Sequence, residues 1–213
     1  MESLEFEKTK KLLEKYKIPF CQTKLAASLK EAVSFAKKAG YPLVLKISSP
    51  EVLHKTDLGL VKTDIDSLEE LENAWNEITK TAKNGNIGME GILVQKELSG
   101  TEIMIGMKRD AQFGPVIMFG LGGIFVEVLK DVSFRIAPVK KENALSMMKE
   151  IKGHKVLEGF RGQEPCNLDK LAEMIMALSE LSLVEEKVKE IDLNPVIANE
   201  KGAQVVDARF LIS

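Results

Sequence analysis

The hydrophobic period of this chain changes near residue 91, and that change limits its fold more than any other feature. Before it, two predicted helices alternate with short strands at 42–47 and 59–63, and each helix begins at an S-x-x-E capping box. The boxes start at Ser28 and Ser67. After residue 91, alternating hydrophobicity predicts a run of strands instead. The chain therefore combines α/β units with a strand-rich part.

The strand-rich part predicts most of a second lobe. Strands are predicted at 92–96, 102–107, 114–119, 124–129 and 133–138, a turn at 108–110, helices at 141–151 and 168–180, and a final hairpin at 190–199 and 203–210. We predict an α+β fold with a small lobe over 1–94, which includes an N-terminal helix, and a larger lobe over 95–213. A cleft between two such lobes is a common ligand site.

Composition excludes several classes of protein. Of the 213 residues, 30 are Lys or Arg and 32 are Asp or Glu, so neither sign of charge dominates. We therefore expect no nucleic-acid or membrane partner. The first residues lack the apolar core of a signal peptide, and the two cysteines have no CxxC or CxH neighbour. We expect reduced thiols and a cytoplasmic protein.

Two residues in the first half suggest phosphate chemistry. Lys46 lies within PLVLKI, where burial of an unpaired ammonium is costly, so it either extends to solvent or meets an anion such as phosphate. His54 follows in a polar loop with Lys55 and Asp57. A loop histidine is often inert, but it can also serve as a base or as a phosphoryl acceptor. Both interpretations stay open for each residue.

The final hairpin holds the sharpest cluster of polar residues. Asp192 and Asn194 are two apart on a strand and share a face, and a tight turn through 199–202 would place Asp207 opposite Asn194. Such oxygen ligands suit Mg²⁺ together with phosphate oxygens and water. The alternative is that these polar residues and Pro195 only protect an edge strand. A glycine-rich run over 119–123 could approach phosphate or form an ordinary turn.

Three separated motifs resemble the ATP-grasp domain of NDP-forming acyl-CoA synthetases. They are GYPLVLKISSPEVLHKTDLGLV, ILVQKELSGTEIMIGMKRD and EIDLNPVIANEKGAQVVDARF, in that order. The resemblance covers nearly the whole chain and implies an ATP-grasp fold, with a nucleotide cleft between two α/β lobes. It is similar to the separate beta subunit of the ADP-forming acetyl-CoA synthetases.

The resemblance also implies a role for each candidate residue. Lys46 would contact the nucleotide phosphates, the backbones of Gln95 and Leu98 the adenine edge, and Glu102 the ribose hydroxyls. Asn194 and Asp207 would hold Mg²⁺, with Asp192 orienting the reacting group and Glu127 as a further candidate. His54 would be a phosphohistidine that passes a phosphoryl group to ADP.

The implied reaction converts acyl-CoA, ADP and phosphate into acid, CoA and ATP. Because the chain lacks a GxGxxG fingerprint for CoA binding, the resemblance implies a CoA-binding alpha subunit in an α2β2 assembly. The alternatives are a stand-alone ATP-grasp carboxylate–amine ligase, which would not need His54, and a nucleotide-binding module without catalysis. The acid and the preference between ADP and GDP do not follow from the sequence.

Overall fold

The computed structural model describes residues 1–49, 58–123, 130–160 and 164–213. These residues form two compact units: one comprises Cys21–Leu98, and the other comprises Met1–Phe20 with Ser99–Ser213. Both units are built from an antiparallel sheet with helices packed on one face. The chain is therefore α+β, as the sequence predicts.

The unit Cys21–Leu98 is a four-stranded sheet covered by two helices. The strands are β2 (Thr23–Ala26), β3 (Leu43–Ser48), β4 (Val61–Ile65) and β5 (Gly91–Lys96), in the order β2-β5-β3-β4, and the helices are α2 (Leu29–Ala39) and α3 (Leu68–Asn84). Side chains from both helices pack against Leu43, Leu45 and Ile47 of the sheet. Because strand residues alternate between faces, the intervening residues lie on the other face.

Both predicted capping boxes are present, with one difference. The hydroxyls of Ser28 and Ser67 accept the amide protons of Glu31 and Glu70, as predicted. Each glutamate, however, accepts from the residue before the cap: Glu31 from the Ala27 amide at 3.2 Å, and Glu70 from the amide of Asp66 at 2.7 Å. Each box still satisfies two amides at the start of its helix.

The other unit is a seven-stranded sheet. Its strands are β1 (Glu2–Ser3), β6 (Thr101–Asp110), β7 (Gly114–Leu121), β8 (Val132–Ile136), β9 (Val188–Asn199), β10 (Gly202–Val205) and β11 (Ala208–Ile212). The main order is β1-β11-β9-β6-β7-β8, and β10 also pairs with β9. The helices are α1 (Phe6–Lys15), α4 (Lys141–Glu150) and α5 (Leu168–Val184), whose apolar side chains share one core with the sheet.

The observed division differs from the predicted lobes 1–94 and 95–213 at the N-terminal helix. Leu13 and Ile18 are buried in the core of the unit that contains Ser99–Ser213, and β1 pairs with β11. The amphipathic stripe of a helix indicates that one face is buried, but it does not indicate which distant strands cover that face. The first 20 residues therefore pack with the second half of the chain.

The predicted turn at 108–110 is wrong. Lys108, Arg109 and Asp110 continue β6 and pair with Val116, Pro115 and Gly114 of β7. The turn lies beyond them, where the Asp110 carboxylate accepts the amide protons of Gln112 and Phe113 at 2.8 and 2.9 Å. Three charged residues suggested a turn, but an Asp that accepts hydrogen bonds from the next residues marks the true reversal.

The remaining sequence predictions concern one strand, the last helix and the two cysteines. The predicted strand at 124–129 lies outside the described residues, and α5 continues to Val184 because Leu181 and Ser182 are also buried. Cys21 and Cys166 are buried free thiols. Within the described ranges, the structure contains no helix that is long and apolar enough to cross a membrane.

Candidate nucleotide and magnesium site

Lys46 lies on the sheet face opposite the helices of its unit. Its register partners are Leu93 of β5 and Val61 of β4. Lys46 is only 7% exposed. This burial argues against a side chain that simply extends into solvent. Its positive charge acts on Cys21: burial raises the pKa of that thiol to about 11, and the Lys46 charge offsets part of the rise. Lys46 therefore supplies a fixed cation on this face.

Gln95 shares that face, two residues along β5 from Leu93, and is 1% exposed. Its side-chain amide donates to the Thr23 hydroxyl at 2.8 Å, and Thr23 donates in turn to the Cys21 carbonyl at 3.0 Å. This chain of hydrogen bonds fixes the Gln95 side chain within the sheet. The predicted interaction of adenine concerns the Gln95 backbone and stays a prediction.

Backbone hydrogen bonds hold the residues that follow Gln95. The Lys96 amide donates to the Gln22 carbonyl at 2.9 Å, and the Glu97 amide donates to the Pro42 carbonyl at 3.1 Å. Leu98 is half-buried and is the last residue of its unit. Its predicted adenine contact concerns its backbone and stays a prediction.

Glu102 lies near the start of β6 and is exposed. Its carbonyl accepts the Gly122 amide proton at 2.7 Å, so the β6–β7 ladder extends by one pair beyond Ile103 and Leu121. Among the described residues, its carboxylate has no hydrogen bond or ion pair. A carboxylate in that state is available to accept hydrogen bonds from hydroxyl groups of a ligand.

The final hairpin brings Asp192, Asn194 and Asp207 together as the sequence predicts. Asp192 and Asn194 alternate with the buried residues of β9, and the Asn194 amide donates to the Asp207 carbonyl at 3.1 Å. The predicted second strand is split into β10 and β11, but Asp207 lies between them and the pairing register is kept. The prediction that Asp207 faces Asn194 is confirmed.

The Asp192 carboxylate lies in a partly buried and acidic environment. Its Oδ1 atom is buried and has no hydrogen-bond partner among the described residues. Burial raises the pKa of this carboxyl, the charges of Asp207 and Glu190 raise it further, and Arg209 opposes them. Arg209 is paired with Asp192 across β11 and β9. The negative charges of these acidic groups are therefore only partly offset by Arg209, and a bound cation would be favoured here.

The donors at this hairpin fit Mg²⁺. Asn194 offers an exposed amide oxygen, and Asp207 a carboxylate whose Oδ1 accepts the Ala208 amide proton at 2.9 Å. Within the described part of the chain, no group of three or more His, Cys, Asp and Glu side chains could enclose a metal ion. Magnesium does not need such a cage, because it usually keeps several waters and binds phosphate oxygens.

Two predicted residues, His54 and Glu127, lie outside the described residues. The other histidine, His154, begins a short 3₁₀ turn (His154–Val156), and its Nδ1 atom is 3.2 Å from the Ile151 carbonyl oxygen. His154 therefore lies in a short turn that follows α4.

Sequence reasoning missed two features of the site. The pairing of Arg209 with Asp192 could have been found, because Arg209 is two residues from Asp207 on the same predicted strand. The contact of Gly122 and Gly123 with Glu102 was harder to predict, because the glycine-rich run does not indicate which residue packs against it. Both features act on residues that the sequence had already singled out.

Comparison with known proteins identifies the family of this chain. A family model described as an ATP-grasp domain matches residues 1–212. The beta subunit of ADP-forming acetate–CoA ligase I from Pyrococcus furiosus is 47% identical over 206 residues, which cover 95% of this chain and 89% of that protein. The chain belongs to the ATP-grasp family, among the beta subunits of ADP-forming acetate–CoA ligases.

Two further relatives give context to this ATP-grasp chain. ADP-forming acetate–CoA ligase I from Archaeoglobus fulgidus is 45% identical over 94% of this chain, but the match spans only 30% of that longer protein. A solved structure of acetyl-coenzyme A synthetase 1 from Ca. Korarchaeum cryptofilum has a TM-score of 0.87 and 42% identity, and covers all of this chain and 93% of that one. That protein holds coenzyme A and Mg-AMPPCP, with its phosphohistidine segment directed towards the nucleotide site.

Proposed function

We propose that this chain is the nucleotide-binding beta subunit of an ADP-forming acetyl-CoA synthetase. The observation that carries the proposal is the 47% identity to a beta subunit of that enzyme, over 95% of this chain and 89% of the relative. The match therefore includes both units of this chain. The presence of His54, which a direct carboxylate–amine ligase would not need, favours this function over that alternative.

The proposed reaction moves one phosphoryl group through covalent intermediates. Phosphate displaces CoA from acyl-CoA on the partner and gives an acyl phosphate. A partner histidine then attacks phosphorus: a P–N bond forms, the P–O bond to the acyl group breaks, and the acid leaves. The imidazole of His54 then attacks phosphorus, a new P–N bond forms, the P–N bond to the partner histidine breaks, and that histidine leaves. A terminal oxygen of ADP finally attacks phosphorus, the P–N bond breaks, and ATP and neutral His54 remain.

The proposed ligands of the nucleotide lie on or next to strands β3, β5 and β6. Lys46 offsets phosphate charge, and its near-complete burial supports this role because it fixes the ammonium before the nucleotide binds. The backbones of Gln95 and Leu98 form hydrogen bonds with the adenine edge. Glu102 binds the ribose hydroxyls, and its exposed carboxylate supports that assignment.

We assign the magnesium ligands to Asn194 and Asp207, which face each other across the final hairpin. When bound, Mg²⁺ neutralises charge on the phosphates and so lowers the barrier to attack by an anionic nucleophile. Asp192 lies on the same face as Asn194, where its carboxylate orients the imidazole that carries the phosphoryl group. Burial raises the pKa of the Asp192 carboxyl, and the charges of Asp207 and Glu190 raise it further, so a cation is favoured here.

The proposed partner is a CoA-binding alpha subunit, in an α2β2 assembly. This chain contains no GxGxxG fingerprint, and the matched region occupies only 30% of the single-chain relative from Archaeoglobus fulgidus. We propose that the remaining functions of that longer chain are supplied here by a separate subunit. The substrates of the assembly are then acyl-CoA, phosphate and ADP.

Co-expression with the alpha subunit of the same organism tests the function. The purified complex should form ATP from acetyl-CoA, ADP and phosphate, whereas the isolated chain should bind Mg·ADP but neither bind CoA nor form ATP. Synthesis of ATP by the highly purified chain alone would contradict the two-subunit proposal. A chain that failed to bind ADP would contradict the nucleotide-binding role itself.

A further inference from the structure

Gly122 and Gly123 form a turn directly after β7 that touches Glu102 at two different places. The Gly122 amide donates to the Glu102 carbonyl at 2.7 Å, which attaches the turn to the backbone of β6. The Glu102 side chain then extends across Gly123. Neither contact is needed to form the hairpin, because β6 and β7 are already paired from Ile103 to Asp110.

At Gly122 the contact is with the backbone of Glu102. A Cβ atom added to Gly122 would lie 2.9 Å from Glu102 Cβ, 3.0 Å from its carbonyl carbon and 3.2 Å from its carbonyl oxygen. Backbone atoms within a paired strand have little freedom to move. Any side chain at Gly122 would therefore displace the point from which the Glu102 side chain starts.

At Gly123 the contact is with the carboxylate itself. A Cβ atom there would lie 3.1 Å from Glu102 Oε2, and the φ angle of +61° is one that residues other than glycine rarely adopt. The carboxylate thus lies against a position that has no side chain. The two glycines act on different parts of Glu102: Gly122 on its backbone and Gly123 on its charged end.

We propose that the Gly122–Gly123 turn is a positioning element that holds the Glu102 carboxylate for the ribose diol, and so sets the preference for ribonucleotides. The inference rests on the proposed function, in which Glu102 binds the ribose hydroxyls. A hydrogen bond from a hydroxyl to a carboxylate is directional, so a displaced carboxylate loses it. The turn acts through Glu102 and has no contact with the reacting atoms in this assignment.

The preference for ADP over 2′-deoxy-ADP measures this role directly. Hydrogen bonds to charged groups contribute about 1.5–3 kcal/mol, which corresponds to a preference of about 10-fold or more in the wild-type protein. Calorimetry of the full chain with Mg²⁺ and each nucleotide gives the ratio of the two dissociation constants. If the glycines instead cradled phosphate, both nucleotides would lose affinity equally and the ratio would not change.

The variants are Glu102→Ala, Gly122→Ala, Gly123→Ala and the double variant Glu102→Ala/Gly123→Ala. The control is Gly114→Ala, at the other end of the same hairpin, where φ is +74° and no atom lies within 4 Å of an added Cβ. Gly114→Ala introduces similar backbone strain without contact to Glu102. Gly123→Ala keeps the test informative if Gly122→Ala does not fold.

We expect Glu102→Ala to bring the ratio close to one, Gly123→Ala and Gly122→Ala to lower it several-fold, and Gly114→Ala to leave it unchanged. In the double variant, Gly123→Ala should add nothing to the effect of Glu102→Ala. An unchanged ratio in both glycine variants, an equal loss in Gly114→Ala, or no wild-type preference would overturn the inference. Failure of wild-type protein to bind ADP would instead refute the proposed function.

Discussion

The two units of the chain present their candidate ligands in opposite ways. In the unit Cys21–Leu98, Lys46 and Gln95 are 7% and 1% exposed, and Gln95 is fixed by Thr23 within the sheet. In the other unit, Glu102 and Asn194 are exposed. The first unit thus offers buried side chains that are held in the sheet. The second offers exposed side-chain oxygen atoms that are accessible to a ligand.

The difference extends to charge. Lys46 is flanked in register by two neutral side chains, those of Leu93 and Val61. Asp192, in contrast, has a pKa that is raised by burial and raised further by its two acidic neighbours, Asp207 and Glu190. The surroundings of Lys46 favour a phosphate group directly. The acidic surroundings of Asp192 favour a phosphate group only when a cation is bound with it. The two units should therefore respond differently to removal of Mg²⁺.

The largest effect is expected from Lys46→Met, which keeps most of the side-chain length and removes the charge. Loss of a charged hydrogen-bond donor should weaken ADP binding by about 10- to 100-fold. Calorimetry should show a similar loss with Mg²⁺ and with EDTA, because this cation is part of the chain. Lys24→Met, on an exposed position of the same sheet, should bind ADP like the wild type.

Asp207→Ala should have a smaller effect that depends on the metal. With Mg²⁺ present, ADP affinity should fall about 10-fold, the value of one charged ligand interaction. With EDTA, the variant and the wild type should bind ADP equally. Glu190→Gln, an acidic position on the same strand as Asn194, is the matched control and should keep the Mg²⁺ dependence. A loss that persists in EDTA would show that Asp207 is not a magnesium ligand.

The smallest effect concerns stability and its dependence on pH. Because the pKa of Asp192 is raised in the folded protein, the folded state binds this proton more tightly than the unfolded state does. The free energy of unfolding therefore falls as pH rises through the interval between the unfolded and folded pKa values. Asp192→Asn should therefore raise the melting temperature at pH 7, without metal or nucleotide. This gain should disappear below the unfolded pKa of about 3.9.

Asp110→Asn provides a control of opposite sign for that experiment. Backbone hydrogen bonds from Phe113 and Gln112 lower the pKa of Asp110, so its contribution to stability is present above the unfolded pKa and is lost as pH falls through the folded pKa. Asp110→Asn should lower the melting temperature at pH 7. If both variants shifted it in the same direction, the electrostatic account of Asp192 would be wrong.

Local signals predicted much of this fold. The helix starts at Ser28 and Ser67 followed from capping chemistry within four residues, and the facing of Asn194 and Asp207 followed from a tight turn with strict alternation. Both are properties of short segments, in which sequence separation and spatial separation are closely related. The cluster at the final hairpin was therefore visible before the structure.

Long-range relations were not visible. The packing of Leu13 with distant strands depends on which surface is left uncovered after the sheet forms, and the contact of Gly123 with Glu102 joins residues 21 positions apart. The burial of Asp192 is of the same kind, because it depends on strands on both sides of β9. No periodicity in a single segment specifies such relations.

The central claim is that His54 carries the phosphoryl group, and labelling tests it most directly. The chain should be incubated with Mg²⁺ and ATP labelled in its γ-phosphate, and then treated with acid or base. We predict a label that is stable in base and lost in acid, as expected for phosphohistidine, that is absent in His54→Ala and retained in His154→Ala. A label that survives His54→Ala, or that never forms in the presence of an active partner subunit, would contradict the account.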